Sequence, residues 1–321
     1  MARVVFFGVD GAYSRVTLAA LVEAGLRPGL VIHGRERSPG TPLLRRWPAA
    51  PSPVARFVAQ AEALAGRGLS PQDSDLAQAA HALGIDVWST TQAHHPTLLR
   101  ALGAARPEVL VIAGFSHLLK PSVLALAERG GLNLHPGHLP AERGPAPVYW
   151  ALKAGRTNFG WTVHRLEPGE DSGEVVSAGE LSMEPGTTGQ LIHQRLAEAG
   201  APALVAATRA LLDGTLVSTP QPSVGVGRCP RPTLADRRID QGQNAAAVYT
   251  FVAGCAPSHR LWAEVAGDRF FVAQAIGYDP EARLDYDFVL LGDRLLLGCR
   301  PGVVELELTR DGAIFSAEYS E

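Results

Sequence analysis

The sequence predicts an α/β protein, a doubly wound domain followed by a small β-barrel, and three observations carry that prediction. Residues 3–8 form a β-branched and aromatic run ending in Gly8, followed by a helical stretch and a short strand at Leu30-Val31-Ile32. Strand, glycine turn, helix, strand is how doubly wound domains open. Residues 213–232 are rich in Gly, Ser and Pro and show no periodicity, so they read as a linker. Beyond them, residues 261–265, 269–275, 287–291, 294–299 and 303–308 are short strand candidates separated by turns. Five short strands suggest a small barrel. The expected organisation is a first domain at 1–212, a linker at 213–233 and a barrel domain at 234–321.

Within the first domain, Ser14 to Ala24 has helical composition and Gly25 is a plausible C-cap. Residues 34–53 read as a loop, with prolines at 39, 42, 48, 51 and 53, and are made basic by Arg35, Arg37, Arg45 and Arg46. Residues 54–65 and 75–83 are helical candidates, 86–88 a short strand and 96–102 a short helix. Val109 to Ala113 is a buried strand ending at Gly114, and 121–128 and 147–154 look helical. Residues 160–166 and 174–178 are strands, and 188–212 a long helix whose Leu191, Ile192, Leu196, Ala199, Leu204 and Leu211 fall roughly at helical spacing.

A chain of 321 residues with 46% hydrophobic content is long enough for two domains and is globular. Cys229, Cys255 and Cys299 are odd in number and far apart, which suits a reducing cytosol and offers no disulfide framework. No cluster of His, Cys or carboxylates has zinc-like spacing, so no metal is expected. The opening apolar stretch is too short for a signal peptide, and no run of about 18 apolar residues exists. A cytoplasmic protein with no membrane partner is expected. From Leu234 onward there are 8 Arg and no Lys against 14 Asp plus Glu, a net of −6, which leaves +3 on residues 1–233. An acidic C-terminal part is a poor surface for nucleic acid, which needs clustered Lys and Arg.

The chemistry is concentrated in Leu132-Asn133-Leu134-His135-Pro136-Gly137-His138-Leu139-Pro140 and in Glu170-Asp171-Ser172-Gly173. An amide, an imidazole and a carboxylate are the parts needed to move an acyl group onto an amine. Asn133 and His135 are two apart, so on an extended segment both point to one side. Singly, each has a plain structural reading, a turn amide or a satisfied loop histidine. Gly8-Val9-Asp10-Gly11 lacks the Gly-x-Gly-x-x-Gly pattern, so a dinucleotide site is not expected. His164 on its strand and His94-His95 in a polar loop read as structural or surface residues, and His138 has no assigned part.

Asn-x-His-Pro followed by Leu-Pro, Arg143-Gly144 and Asp171-Ser172-Gly173 resembles the folate-dependent formyltransferases. The likeness is dense over about residues 107–176, and the layout is most similar to the methionyl-tRNA branch of that family. It implies a Rossmann-like catalytic domain, a linker and a barrel related to the oligonucleotide-binding fold. It also implies 10-formyltetrahydrofolate as formyl donor and a primary amine as acceptor. Asn133 would hydrogen-bond the formyl oxygen. His135 would stabilise the oxyanion and move protons, and Asp171 would pair with His135 and raise its pKa. Leu139-Pro140 would be a cis peptide. Phe115, Leu119, Val123, Pro140 and Gly169 would contact the folate, with plain core packing the other reading of Leu119 and Val123. Tyr13 and Ser14 would lie near the acceptor.

Several positions depart from the resemblance. Gly137 stands where serine is usual, Gln241 where tryptophan is common, and Ala256-Pro257-Ser258-His259 replaces Pro-Trp-Pro-Gly. The acceptor therefore stays open between charged initiator tRNA, favoured by layout and the arginine-rich loop, and a small amine such as a nucleotide-linked amino sugar, favoured by the acidic C-terminal part. A non-catalytic folate-binding relative is a third alternative, against which the intact Asn133, His135 and Asp171 argue.

Overall fold

The computed structural model describes residues 3–35, 43–47 and 76–309. It divides into two compact units: Met1–Gly144, Gly160–Glu180 and His193–Arg228 form the first, and Pro145–Phe159, Leu181–Ile192 and Cys229–Glu321 the second.

The first unit is built on a Rossmann-like sheet. Its strands are β1 (Val4–Gly8), β2 (Leu30–Gly34), β3 (Leu44–Trp47), β4 (Asp86–Thr90), β5 (Val109–Ala113), β6 (Gly131–His135), β7 (Asn158–Arg165) and β8 (Val175–Ser182). They lie in the order β3-β4-β2-β1-β5-β6-β7-β8. β4, β2, β1, β5 and β6 run parallel, while β3 and β7 run antiparallel to their neighbours β4 and β6. β1, β2, β5 and β6 are buried at every position, as parallel strands covered on both faces must be. The strand order reverses at β1 and β5, and in such sheets the crevice for ligands opens at the carboxyl ends of the strands there.

Helices α1 (Ala12–Glu23), α2 (Leu76–Ala82), α3 (Pro96–Ala105), the short α4 (Pro121–Leu124) and α6 (Gly189–Asp213) accompany the sheet. Leu98 and Leu102 of α3 bury against Val5, Phe7, Ile32, Leu110 and Ile112. On α6, Ile192, Leu196, Leu204 and Leu211 are buried as the spacing predicts, but Leu191 is 40% exposed. The helix expected over 121–128 closes after one turn, and its last residues are turns. The loop expected over 34–53 contains β3, an edge strand whose backbone finds partners on β4 that local composition does not announce. The helical candidate at 54–65 lies outside the described residues.

The second unit carries a curled antiparallel five-stranded half-barrel, β9 (Trp262–Val265), β10 (Asp268–Asp279), β11 (Phe288–Leu291), β12 (Arg294–Gly298) and β13 (Val303–Leu308), in the order β11-β12-β13-β10-β9. It also holds α5 (Pro147–Lys153) and α7 (Ala245–Cys255). The sequence reading missed α7. Its start signal is Asn244, whose side chain accepts from the Ala247 N–H at 2.9 Å. Its buried residues Ala245, Val248, Phe251, Val252 and Cys255 fall on one helical face. Among the described residues no helix is long and apolar enough to cross a membrane.

Candidate active site

Asn133 and His135 occupy β6, and Asp171 the turn after β7. β6 begins at Gly131, where a Cβ would meet the Leu110 carbonyl oxygen at 2.5 Å, so no side chain fits. The β6–β7 register sets Asn133 opposite His164 and His135 opposite Thr162. Directly opposed residues share a face of the sheet. Asn133, His135, Thr162 and His164 thus project together, and all are buried. Asp171 takes φ +48°, a left-handed conformation that Asp tolerates better than most residues. Just beyond it the chain passes so close to β7 that a Cβ on Gly173 would meet the Arg165 carbonyl oxygen at 1.9 Å.

This turn brings the Asp171 carboxylate between two imidazoles. Its Oδ2 is 3.6 Å from His135 Nδ1 and accepts from the Gly144 N–H at 2.8 Å. Its Oδ1 is 3.4 Å from His164 Nε2 and accepts from Asn133 Nδ2 at 3.2 Å. The ring nitrogens can be assigned from their partners. His135 Nε2 faces the Glu142 carbonyl at 2.7 Å and must carry hydrogen there, so Nδ1 is the basic atom of the neutral ring. His164 Nδ1 faces the Arg165 carbonyl at 2.8 Å, which leaves Nε2 to accept from Asn133 Nδ2 at 3.0 Å. Both amide hydrogens of Asn133 are therefore engaged, one with His164 and the longer one with Asp171.

Burial is the main influence on His135 and pushes its pKa below the ordinary 6.5, while Asp171 pulls the other way and is outweighed. The expected rise from Asp171 is present as a contribution, but the net direction is downward. Burial alone would raise the Asp171 pKa. The charged form of His135, the His164 ring and the Gly144 N–H together hold it well below the usual carboxylate range. The Tyr13 hydroxyl, which donates to the Leu134 carbonyl at 3.2 Å, is pushed well above 10.0 by burial and then by Asp171.

The other expected site residues fall in different places. Leu139–Pro140 is cis, and Pro140 is half-buried. Phe115 is half-buried, with its ring edge-on to Phe7 at 5.2 Å and to His117 at 5.4 Å. Leu119 is 5% exposed and Val123 fully buried, and both pack in a core cluster with Phe7, Ile32 and Leu98. Gly169 is exposed, with φ +127°. Ser14 ties the turn after β1 to the end of β5, accepting from the Val9 N–H and donating to the Ala113 carbonyl. His95 caps α3, accepting from the Thr97 N–H.

Three residues that the sequence reading passed over belong to the site. His164 was expected to be structural or surface, but it is 2% exposed and touches both Asn133 and Asp171. Its signal was the alternation along β7, which needs the β6 register to become informative. Glu142 supplies the carbonyl that fixes the His135 tautomer, and its carboxylate accepts from the His138 N–H at 2.8 Å. Gln221 lies in the expected linker, and its amide contacts the Asp171 backbone. Among the described residues no three His, Cys, Asp or Glu side chains form a group that could hold a metal ion.

Residues 48–208, half of the chain, match the family model described as Formyl transferase. The chain belongs to the formyl transferase family. A methionyl-tRNA formyltransferase of Streptomyces coelicolor is 35% identical over 223 residues, 70% of this chain and 72% of the relative. A methionyl-tRNA formyltransferase of Saccharopolyspora erythraea is 32% identical over 273 residues, 85% of this chain and 84% of the relative. Among solved structures, an N-formyltransferase from Helicobacter canadensis shares the fold, with a TM-score of 0.63 at 11% identity over 96% of this chain and 99% of that one. In this formyl transferase two strands and a turn bring four polar side chains, Asn133, His135, His164 and Asp171, into one cluster.

Proposed function

We propose that this formyl transferase moves a formyl group from 10-formyltetrahydrofolate to a primary amine, with the aminoacyl end of charged initiator tRNA as acceptor. The observation that carries the chemistry is the convergence on the Asp171 carboxylate of Asn133 at 3.2 Å, His164 at 3.4 Å and His135 at 3.6 Å, with Asn133 and His164 3.0 Å apart. The donor supplies the formyl group. Phe115, Pro140 and Gly169 are the accessible residues among those assigned to it, and Leu119 and Val123 belong to the buried cluster against which Phe115 packs.

His135 acts as the base. Its Nε2–H is committed to Glu142, and burial keeps Nδ1 unprotonated near neutral pH, so Nδ1 takes the proton that the attacking amine releases. Asp171, held ionised, then stabilises the imidazolium, which returns the proton to the donor nitrogen as the C–N bond to it breaks and tetrahydrofolate leaves. Asn133 trades its longer hydrogen bond, to Asp171, for one to the formyl oxygen as charge develops there. Cys229, Cys255 and Cys299 form no disulfide with one another, which favours a reducing cytosol as the site of action.

The tRNA acceptor is supported by the two relatives and by where the arginines of the acidic unit lie. Arg238 and Arg269 stand over the Trp262 ring at 5.9 and 4.2 Å, and Arg260 over Phe271 at 5.0 Å. These three arginines gather positive charge locally in spite of the unit's net charge, although Arg238 is also paired with Glu264 at 3.2 Å. That net of −6 over residues 234–321 favours the second reading, a small amine such as a nucleotide-linked amino sugar. A formyl-transfer assay against charged tRNA and a panel of amino sugars decides between them. Transfer to tRNA, with binding that weakens steeply with salt, supports the first reading. Turnover of a small amine alone, with no response to tRNA, replaces it with the second.

A further inference from the structure

Asp171 is a strained residue on a turn, and the segment 219–228 fastens that turn to the loop following His135. Thr219 and Val175 exchange both backbone hydrogen bonds at 2.8 Å. Gly227 donates to the Pro140 carbonyl at 3.1 Å, and a Cβ there would meet the Ala141 carbonyl oxygen at 2.1 Å. Arg228 forks onto Glu170 at 2.6 and 3.0 Å, an exposed pair of little energetic weight. Between these anchors lies Gln221. Its Nε2 donates to the carbonyls of Asp171 and Gly173, both at 2.7 Å, and its Oε1 accepts from Arg143 Nε at 3.0 Å and Nη2 at 2.7 Å. The orientation of the amide is forced, because carbonyls only accept and a guanidinium only donates.

We infer that Gln221 is a positioning residue for formyl transfer: one side-chain amide locks the backbone of Asp171 to the Arg143 loop and so sets the distance between the Asp171 carboxylate and His135. Two donated and two accepted hydrogen bonds use the full capacity of the amide. No other residue type presents two donor hydrogens to one loop and an acceptor to the other at this length. Glutamate keeps the shape and the Arg143 contacts but sets an oxygen against two carbonyl oxygens. Leucine removes both sides of the bridge. The inference rests on the catalytic assignment of Asp171 and is tested so that the two can fail separately.

The experiment measures kcat, KM, the pH profile, tetrahydrofolate binding and thermal melting in Gln221→Glu, Gln221→Leu and Asp171→Asn. Gln221→Glu should lower kcat about 10- to 100-fold, the scale of a misplacement near 1 Å, with tetrahydrofolate binding within about threefold of the parent. In Gln221→Leu the acid limb of the kcat profile should move to lower pH, because a displaced Asp171 no longer favours the protonated ring of His135. A merely structural residue would change melting and leave that limb in place. Gln221→Glu with kcat within about threefold of the parent overturns the inference. So does an unmoved acid limb, or failure of both Gln221 variants to fold. If Asp171→Asn is as active as the parent, the catalytic assignment itself is lost. If it is inactive beside a fully active Gln221→Glu, only the positioning role is lost.

Discussion

The strand pair β6–β7 and the turn at 167–173 both bring polar side chains to the site, by different physics. On β6 and β7, Asn133, His135 and His164 are aimed by the pleat and by a register that hydrogen bonds to neighbouring strands enforce. Asp171 has no ladder to aim it. Its φ is +48°, and its place depends on Gly144, Gln221 and the close passage at Gly173. Direction is cheap on a strand and must be assembled contact by contact on a loop. In the proposed mechanism the base and the amide therefore come from the rigid half of the site, and the carboxylate comes from the half that needs supports.

The sharpest break in this comparison comes from the strand side. His135→Ala removes the proton acceptor and should lower turnover about 10²- to 10⁴-fold while tetrahydrofolate binding survives, read by initial rates and a binding titration. Near-normal turnover would remove His135 from the mechanism. Asn133→Ala comes next. The loss of an oxyanion donor should raise the barrier by about 2.7–4 kcal/mol, and a drop below about tenfold in kcat would show that the amide serves the cluster rather than the substrate.

His164→Leu sharpens the comparison. It removes one partner each from Asn133 and Asp171 and leaves the His135 side chain in place, so kcat should fall about five- to tenfold, the value of a hydrogen bond of about 1 kcal/mol. A loss as large as that of His135→Ala would make His164 an equal catalytic partner. The smallest effect is on stability against pH. The pKa of His135 is depressed from its ordinary 6.5, so its contribution is present above 6.5 and is lost as pH falls toward the folded-state value. Asp171, also depressed, holds its contribution down to the ordinary 3.8 and loses it only below that. Thermal melts at about pH 7 and pH 5 should differ less in His135→Asn than in the parent. An equal pH response in the two proteins would count against a buried neutral His135.

Much of the fold was readable along the chain, because helices and strands are written in local periodicity. The runs at 4–8 and 109–113 became buried parallel strands, the long helix at 189–213 buried most of its predicted face, and the five C-terminal strands formed a half-barrel. The elements missed depend on what lies across from them. β3 exists because β4 offers a free edge, and α7 was hidden in an alanine-rich run whose cap is a single Asn244. The linker was read as structureless because Gln221, Gly227 and Arg228 make their contacts one residue at a time, with no period to detect.

The same division runs through the site. Spacing of two along a strand put Asn133 and His135 on one face, amide, imidazole and carboxylate suited acyl transfer, and the resemblance of their motifs to the folate-dependent formyltransferases implied the reaction class. That much is a property of the chain alone. Only the folded protein selected His164 over His138, His94 or His95, because strand register is a long-range pairing that one strand cannot specify. Only the folded protein turned the His135 pKa downward, because burial is the work of every segment that covers the ring, and here it exceeds the pull of a single carboxylate.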